Sequence, residues 1–231
     1  MKYKILNLYA CLGGNRYKWD DVAKENNIEI EITAVELDNE LVKLYKERFP
    51  NDNVIVADAH QFLLDHYKKF DFIWSSPPCP SHSRARFWNS SNYETNTEPV
   101  YPDLKLYEEI LFLQHYYKHG KFVIENVIPY YEPLIPAQKR DRHLYWTNFN
   151  LPQIISNRNL SGIVCQAKNE LKQLCEIHDY DFTQYKGEQR IDKIARNLGD
   201  YEAGKTIFKT ALNIYKKLDI RQTSIFDYEE M

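Results

Sequence analysis

The chain has 231 residues, 43% apolar and 27% charged, enough for one large domain or one domain with a small appendage. Thirty Lys and Arg against 33 Asp and Glu give a net charge of −3, which excludes a generally basic coat for nucleic acid but not a local basic groove. No apolar run reaches the roughly 18 residues of a membrane span, the N-terminus does not read as a signal peptide, and four scattered cysteines without C-x2-C spacing suit neither a disulfide framework nor a zinc site. The expectation is a cytoplasmic protein with reduced thiols and no metal.

In chain order, short apolar runs alternate with helical periodicity. Strands are expected over Lys4 to Tyr9, Glu31 to Glu36, Asn53 to Ala57, Phe70 to Ser75 and Lys121 to Glu125. Helices are expected over Lys18 to Asn26, Asn39 to Phe49 and Gln61 to Tyr67. Another is expected from an Asp103 cap to His119, with Gly120 at its C′ position. The order predicts an α/β fold, a mostly parallel sheet with helices on both faces, whose ligands sit at the carboxyl ends of the strands. Arg84 to Pro102 reads as a long functional loop and Leu151 to Gln189 as a small lobe. Ile191 to Leu218 is helical, and a tail follows from Asp219. The corresponding division is a core over 1–150, a recognition region over 151–189, C-terminal helices over 190–218 and the tail over 219–231.

The strand ends carry the chemistry. The first feeds Gly13-Gly14 and a helix, where backbone can approach an anion or a close-lying ligand. The second ends in Glu36, suited to two ribose hydroxyls, and the third in Asp58, suited to an exocyclic amine. A pyrophosphate-binding G-x-G-x-x-G is missing, so a nucleoside cofactor without a diphosphate fits, and S-adenosylmethionine meets that description. The fourth strand ends in Pro77-Pro78-Cys79-Pro80-Ser81-His82-Ser83, presenting a thiol on a stiff backbone as a candidate nucleophile. The fifth ends in Glu125-Asn126-Val127. In Gln138-Lys139-Arg140-Asp141-Arg142, alternate residues share one side of an extended segment. Taken singly, each feature also reads as a tight turn, a solvated acid, a structural cysteine or a charged edge.

Together these residues resemble the DNA (cytosine-5) methyltransferases, especially the short versions encoded by phages. Asn7-Leu8-Tyr9-Ala10-Cys11-Leu12-Gly13-Gly14 is similar to the family's Asp-Leu-Phe-x-Gly-x-Gly-Gly, and Ser76-Pro77-Pro78-Cys79 to its Pro-Cys motif. Glu125-Asn126-Val127 and Gln138-x-Arg140-x-Arg142 match its Glu-Asn-Val and Gln-x-Arg-x-Arg motifs unchanged, and the resemblance covers about 60% of the chain.

The resemblance implies a Rossmann-like methyltransferase fold. Tyr9, Ala10, Leu12, Gly13, Gly14 and Pro78 would line the cofactor, with Glu36 on the ribose and Asp58 on the adenine. Asn197, in a faint match to the family's last motif, would be a further cofactor contact. It implies that Cys79 attacks carbon 6 of a flipped cytosine, Glu125 donates at N3, Arg142 binds the base carbonyl and Arg140 supports the Cys79 loop. Ser83, Arg84, Arg86 and Trp88 would contact double-stranded DNA. The activity implied is DNA cytosine-5 methylation, with restriction–modification or phage protection as context. An RNA cytosine-5 methyltransferase and a catalytically weak DNA-binding regulator are the alternatives. Departures from the pattern are Cys11 for the usual middle glycine and a short recognition region. In the tail, Gln222, Ile225 and Phe226 lie in a pentapeptide similar to the bacterial sliding-clamp-binding motif, suggesting tethering that raises effective DNA concentration.

Overall fold

The computed structural model describes residues 2–84, 101–158 and 170–214. Arg86, Trp88, Gln222, Ile225 and Phe226 lie outside them. Seven strands form one sheet: β1 (Tyr3–Leu8), β2 (Ile30–Glu36), β3 (Asn53–Val56), β4 (Phe72–Ser75), β5 (Lys121–Val127), β6 (Gln138–Arg140) and β7 (His143–Thr147). Their order is β3-β2-β1-β4-β5-β7-β6. The first five are parallel, and β7 runs antiparallel to both β5 and β6.

The parallel strands are apolar on both faces because helices cover both. Leu6, Leu8, Ile73, Phe122 and Ile124 point to one side, under α3 (Ala59–His66) and α4 (Lys105–Tyr116). Ile5, Phe72, Trp74 and Val123 point to the other, under α1 (Trp19–Glu25) and α7 (Tyr201–Ala211). On α2 (Asn39–Arg48), Val42 and Tyr45 pack with Ala34 and Val54. Arg16 beneath α1 makes a bidentate pair with Asp52 at 2.7 Å, both side chains under 5% exposed. Removing either partner leaves a buried charge and costs about 3–5 kcal/mol.

The C-terminal part folds back onto this core. Leu174 on α5 (Glu170–His178), Phe182, Tyr185 and Ile194 on α6 (Ile191–Asn197) pack with Leu12, Leu41 and Leu44. Asp38 binds both parts. One oxygen caps α2 at the amides of Glu40 and Leu41, and the other accepts from Tyr185 and Gln189 at 2.8 Å each.

Four details differ from the sequence reading. Leu104, not Asp103, holds the N-cap position of α4; the Asp103 carboxylate still accepts from the Lys105 amide at 3.1 Å. α4 ends at Tyr116, and Gly120 is a close-approach glycine rather than a helix terminator. A Cβ there would lie 2.1 Å from the Tyr117 hydroxyl and 2.4 Å from the Asp71 carbonyl. The 138–142 segment is not one extended run. Asp141 takes φ +48, turning β6 into β7, so Arg142 sits in a hairpin turn and does not share a strand face with Gln138 and Arg140. The last helical pattern breaks at Leu198-Gly199-Asp200, where the Asp200 carboxylate caps α7.

Candidate active site

The chain bends abruptly out of β1. Tyr9, Cys11 and Gly13 take φ of +54, +45 and +67, so three of five consecutive residues occupy the left-handed region. Only Gly13 does so without a Cβ penalty, and a Cβ there would also meet the Phe49 ring at 2.5 Å. Gly14 is pressed against the carbonyl of Gly199, which a Cβ would approach to 2.4 Å. The glycine pair thus admits neighbouring protein on its side-chain sides: α2 below, and the 198–199 turn after Asn197 alongside. Ala10 and Leu12 are buried, and the Ala10 amide continues the sheet to the Val35 carbonyl at 3.0 Å.

Glu36 leaves β2 next to this loop. One oxygen accepts the Cys11 amide at 2.8 Å, and the other accepts those of Leu37 at 2.8 Å and Asp38 at 3.2 Å. A carboxylate offers about four acceptor sites, so capacity remains for a hydroxyl. Asp58 caps α3 through one oxygen, at 2.8 Å from the Gln61 amide. Leu37, between the two acids in sequence, is 68% exposed. An apolar surface beside two acceptors suits the face and edge of a purine. The sequence reading missed Leu37; an apolar residue directly after a strand-end acid was the available signal.

β4 leads into the loop that carries Cys79. Ser75 is fully buried and Cys79 half-buried. The Cys79 carbonyl accepts from the amides of His82 at 2.9 Å and Ser83 at 3.0 Å, closing a tight turn. Asn126 holds its base, donating from Nδ2 to the Pro77 carbonyl at 3.0 Å while its Oδ1 takes the Val127 amide at 2.9 Å. Beyond the turn, His82 is buried against the Tyr131 hydroxyl at 2.5 Å, Ser83 bridges to Pro129, and Arg84 Nε donates to the Pro129 carbonyl at 2.9 Å. The loop is therefore stapled to the segment following β5.

Glu125, two residues before the end of β5, lies within electrostatic reach of Cys79. Ser76 Oγ donates to it at 3.3 Å and the buried Tyr145 hydroxyl at 3.4 Å, with His143 Nδ1 at 3.8 Å. Burial pushes the Cys79 thiol above its ordinary range and the Glu125 charge adds to this; its backbone amide and the Lys193 ammonium on α6 pull the other way. Burial and the neighbouring Glu125 also keep the Tyr145 hydroxyl protonated.

Arg142 is exposed in its turn and has no hydrogen bond to the described residues. Arg140 is placed differently from its expected support of the Cys79 loop. Its guanidinium donates to the carbonyls of Pro152 at 2.5 Å and Leu151 at 2.7 Å, pinning the chain that leaves β7. Asn126, Tyr145, His143 and Lys193 went unassigned in the sequence reading. Asn126 stood inside a quoted motif, whereas the other three depend on the β6–β7 hairpin and on α6 folding back. Of the expected recognition region, Leu151 and Ile155 are core residues and Leu174, Phe182 and Tyr185 pack under Leu12; 159–169 lies outside the described residues. Among the described residues no cluster of acids, cysteines and histidines could hold a metal ion, and no helix is long and apolar enough to cross a membrane.

Residues 3–128, which contain β1 to β5 with Cys79 and Glu125, match the family model for C-5 cytosine-specific DNA methylase. A tRNA (cytosine(38)-C(5))-methyltransferase of Spodoptera frugiperda is 32% identical over 101 residues, covering 42% of this chain and 29% of that protein. Among solved structures, a DNMT2 mutant of Spodoptera frugiperda is similar at 28% identity and a TM-score of 0.38, over 55% of this chain and 36% of that one. The Entamoeba histolytica methyltransferase EhMeth is similar at 13% identity and a TM-score of 0.36, over 55% and 38%. The match to the curated relative therefore spans less than a third of that protein's length.

Proposed function

The chain belongs to the C-5 cytosine-specific DNA methylase family, and from that premise we propose that it methylates carbon 5 of cytosine in double-stranded DNA, using S-adenosylmethionine. The observation that carries this reading is that Glu125, on β5, lies within electrostatic reach of Cys79, on the loop after the neighbouring β4, with Asn126 fixing the base of that loop.

The residues present fit the cofactor. Glu36 retains acceptor capacity for a ribose hydroxyl and Asp58 for an adenine amine, and exposed Leu37 offers a purine an apolar seat. When bound, the cofactor supplies an electrophilic methyl group on a sulfonium.

Cytosine carbon 5 is a weak nucleophile. Addition of the Cys79 thiolate to carbon 6 makes carbon 5 enamine-like, and electron density moves toward N3. Glu125 delivers a proton there, and Ser76 and Tyr145 orient its carboxyl group. Arg142, exposed in its turn, suits the base carbonyl. After methylation a base takes the carbon 5 proton, the carbon–sulfur bond breaks, and Cys79 departs as thiolate while N3 returns its proton to Glu125. A cytosine inside a duplex must leave the stack to reach Cys79.

The test is to incubate the chain with S-adenosylmethionine and mixed-sequence duplex DNA, then quantify 5-methyldeoxycytidine by mass spectrometry. Product from the wild type and none from Cys79→Ala is the expected result. The 32% identity to a tRNA methyltransferase favours a second reading, the same chemistry on RNA. A parallel incubation with tRNA decides between them: 5-methylcytidine in tRNA with none in duplex DNA replaces the first reading by the second.

A further inference from the structure

On α4, Leu106, Ile110 and Leu113 form the apolar stripe that faces the sheet. Position 109 belongs to the same inward face, yet it holds a glutamate with no exposed surface. Burying a carboxylate costs several kcal/mol unless donors surround it.

Among the described residues, three polar side chains reach Glu109, each from a different strand or helix end. The Tyr9 hydroxyl, just after β1, donates to Oε1 at 2.7 Å. Ser75 Oγ, the last residue of β4, donates to Oε2 at 2.6 Å. His60 Nδ1, in the first turn of α3, lies 3.2 Å from Oε1. On its far side, His60 Nε2 lies 3.5 Å from Glu108. The Glu109 hydrogen bond raises the His60 pKa above its ordinary value.

These three ends have different roles under the proposed function, on which this inference rests. Tyr9 opens the loop leading to Gly13-Gly14, Ser75 opens the loop leading to Cys79, and His60 follows Asp58 by two residues. We propose that Glu109 is a positioning residue for methyl transfer, one carboxylate that locks the cofactor loop after β1 and the nucleophile loop after β4 into a common register. Its two oxygens divide the work: Oε1 serves the cofactor side through Tyr9 and His60, and Oε2 serves the nucleophile side through Ser75. A simple structural anchor needs only that the charge be satisfied. This arrangement ties together the two segments that hold the methyl donor and the base, whose reacting carbons must come within bond-forming distance, where misplacement by an ångström is worth about 100-fold in rate.

The experiment compares Glu109→Gln, Ser75→Ala and Tyr9→Phe in the full chain. It measures S-adenosylhomocysteine Kd by calorimetry, kcat at saturating cofactor and DNA, and Tm. Ser75→Ala is expected to lower kcat with Kd unchanged, and Tyr9→Phe to raise Kd. Glu109→Gln is expected to do both, lowering kcat by about tenfold or more. The split between kcat and Kd is the readout that general destabilisation does not produce. Parallel losses of Tm with kcat and Kd unchanged per folded molecule would overturn the proposal, as would wild-type values in all three variants. Should Glu109→Gln not fold, the two single-hydroxyl variants decide by the same split. A wild type that binds no S-adenosylhomocysteine overturns the proposed function along with this inference; a wild type that binds it, with variants that behave identically, overturns this inference alone.

Discussion

Cys11 and Cys79 follow two strands, β1 and β4, that pair side by side, and they are both half-buried thiols. Their surroundings differ. Cys11 packs against the apolar cluster of Leu12, Leu41 and Leu44, and its amide is held by Glu36. Burial and then the Glu36 charge push its thiol up to about 12. Cys79 belongs to no apolar cluster. It heads a tight turn between prolines, with Glu125 on one side and Lys193 within electrostatic reach. Strand-end placement alone therefore does not make a nucleophile. Cys11 packs as a small hydrophobe, and Cys79 lies in the fields of a carboxylate and an ammonium, as the proposed nucleophile would require.

The largest expected effect breaks this comparison outright. Cys79→Ala should reduce methyl transfer by at least about 1,000-fold, since an intermediate is lost rather than a contact. Cys11→Ala should leave kcat within about threefold, because a thiol held protonated by burial does no chemistry. Methylation measured by nucleoside mass spectrometry compares the two directly. Equal losses in both would mean that the loop after β1 carries chemistry not assigned to it here.

Next in size is Glu125→Gln. Loss of the proton donor at N3 should lower kcat by about 100-fold, with cofactor affinity unchanged. A fall in affinity with kcat preserved would move Glu125 to the cofactor side of the site.

A third prediction concerns charge. The Cys79 thiol is raised above its ordinary value, so its thiolate fraction is small at neutral pH and grows as pH climbs through the raised pKa. Alkylation of Cys79 by iodoacetamide, followed by peptide mass spectrometry, should therefore accelerate steadily between pH 7 and 9. Lys193 favours the thiolate, so Lys193→Met should shift that profile to higher pH and slow alkylation at pH 7.5 by a few-fold, about the effect of one partly screened charge. An unshifted profile would show that the ammonium is too well solvated to matter.

How far the sequence disclosed this site follows the range of the interactions involved. Short apolar runs and turn residues located β1 to β5 and the acids and thiol near their ends, because those signals are local. Glu36 ends β2, Asp58 lies two residues beyond β3, Cys79 four beyond β4, and Glu125 two before the end of β5. The β6–β7 hairpin was missed because Gln138-Lys139-Arg140 carries no apolar pattern, and its turn uses Asp141 in a left-handed conformation without a glycine. Glu109 was invisible for a different reason. On a helix with an apolar face, one carboxylate reads as a solvated residue until Tyr9 and Ser75, 100 and 34 positions away, are brought to it. Arg140 was misplaced because an arginine's reach permits several partners, and the Leu151 and Pro152 carbonyls were not identifiable before the chain reversal was known.

The smallest effect tests why Cys11 is tolerated where the family's motif has glycine. At φ +45 a residue with a Cβ carries about 1–2 kcal/mol of backbone strain, which glycine would relieve. Glycine returns about 0.5–1 kcal/mol of that by giving the unfolded chain more freedom. It also removes a sulfur and a methylene from the cluster with Leu12, Leu41 and Leu44, worth about 1 kcal/mol. The opposing contributions nearly cancel, so Cys11→Gly should change stability by less than about 1 kcal/mol, a Tm shift of a few degrees at most in a chain of this size. Cys11→Val keeps the apolar bulk but places a β-branched side chain in the left-handed region, and it should be the less stable of the two. If Cys11→Val proves as stable as the wild type while Cys11→Gly loses several degrees, packing of the sulfur rather than relief of backbone strain governs this position.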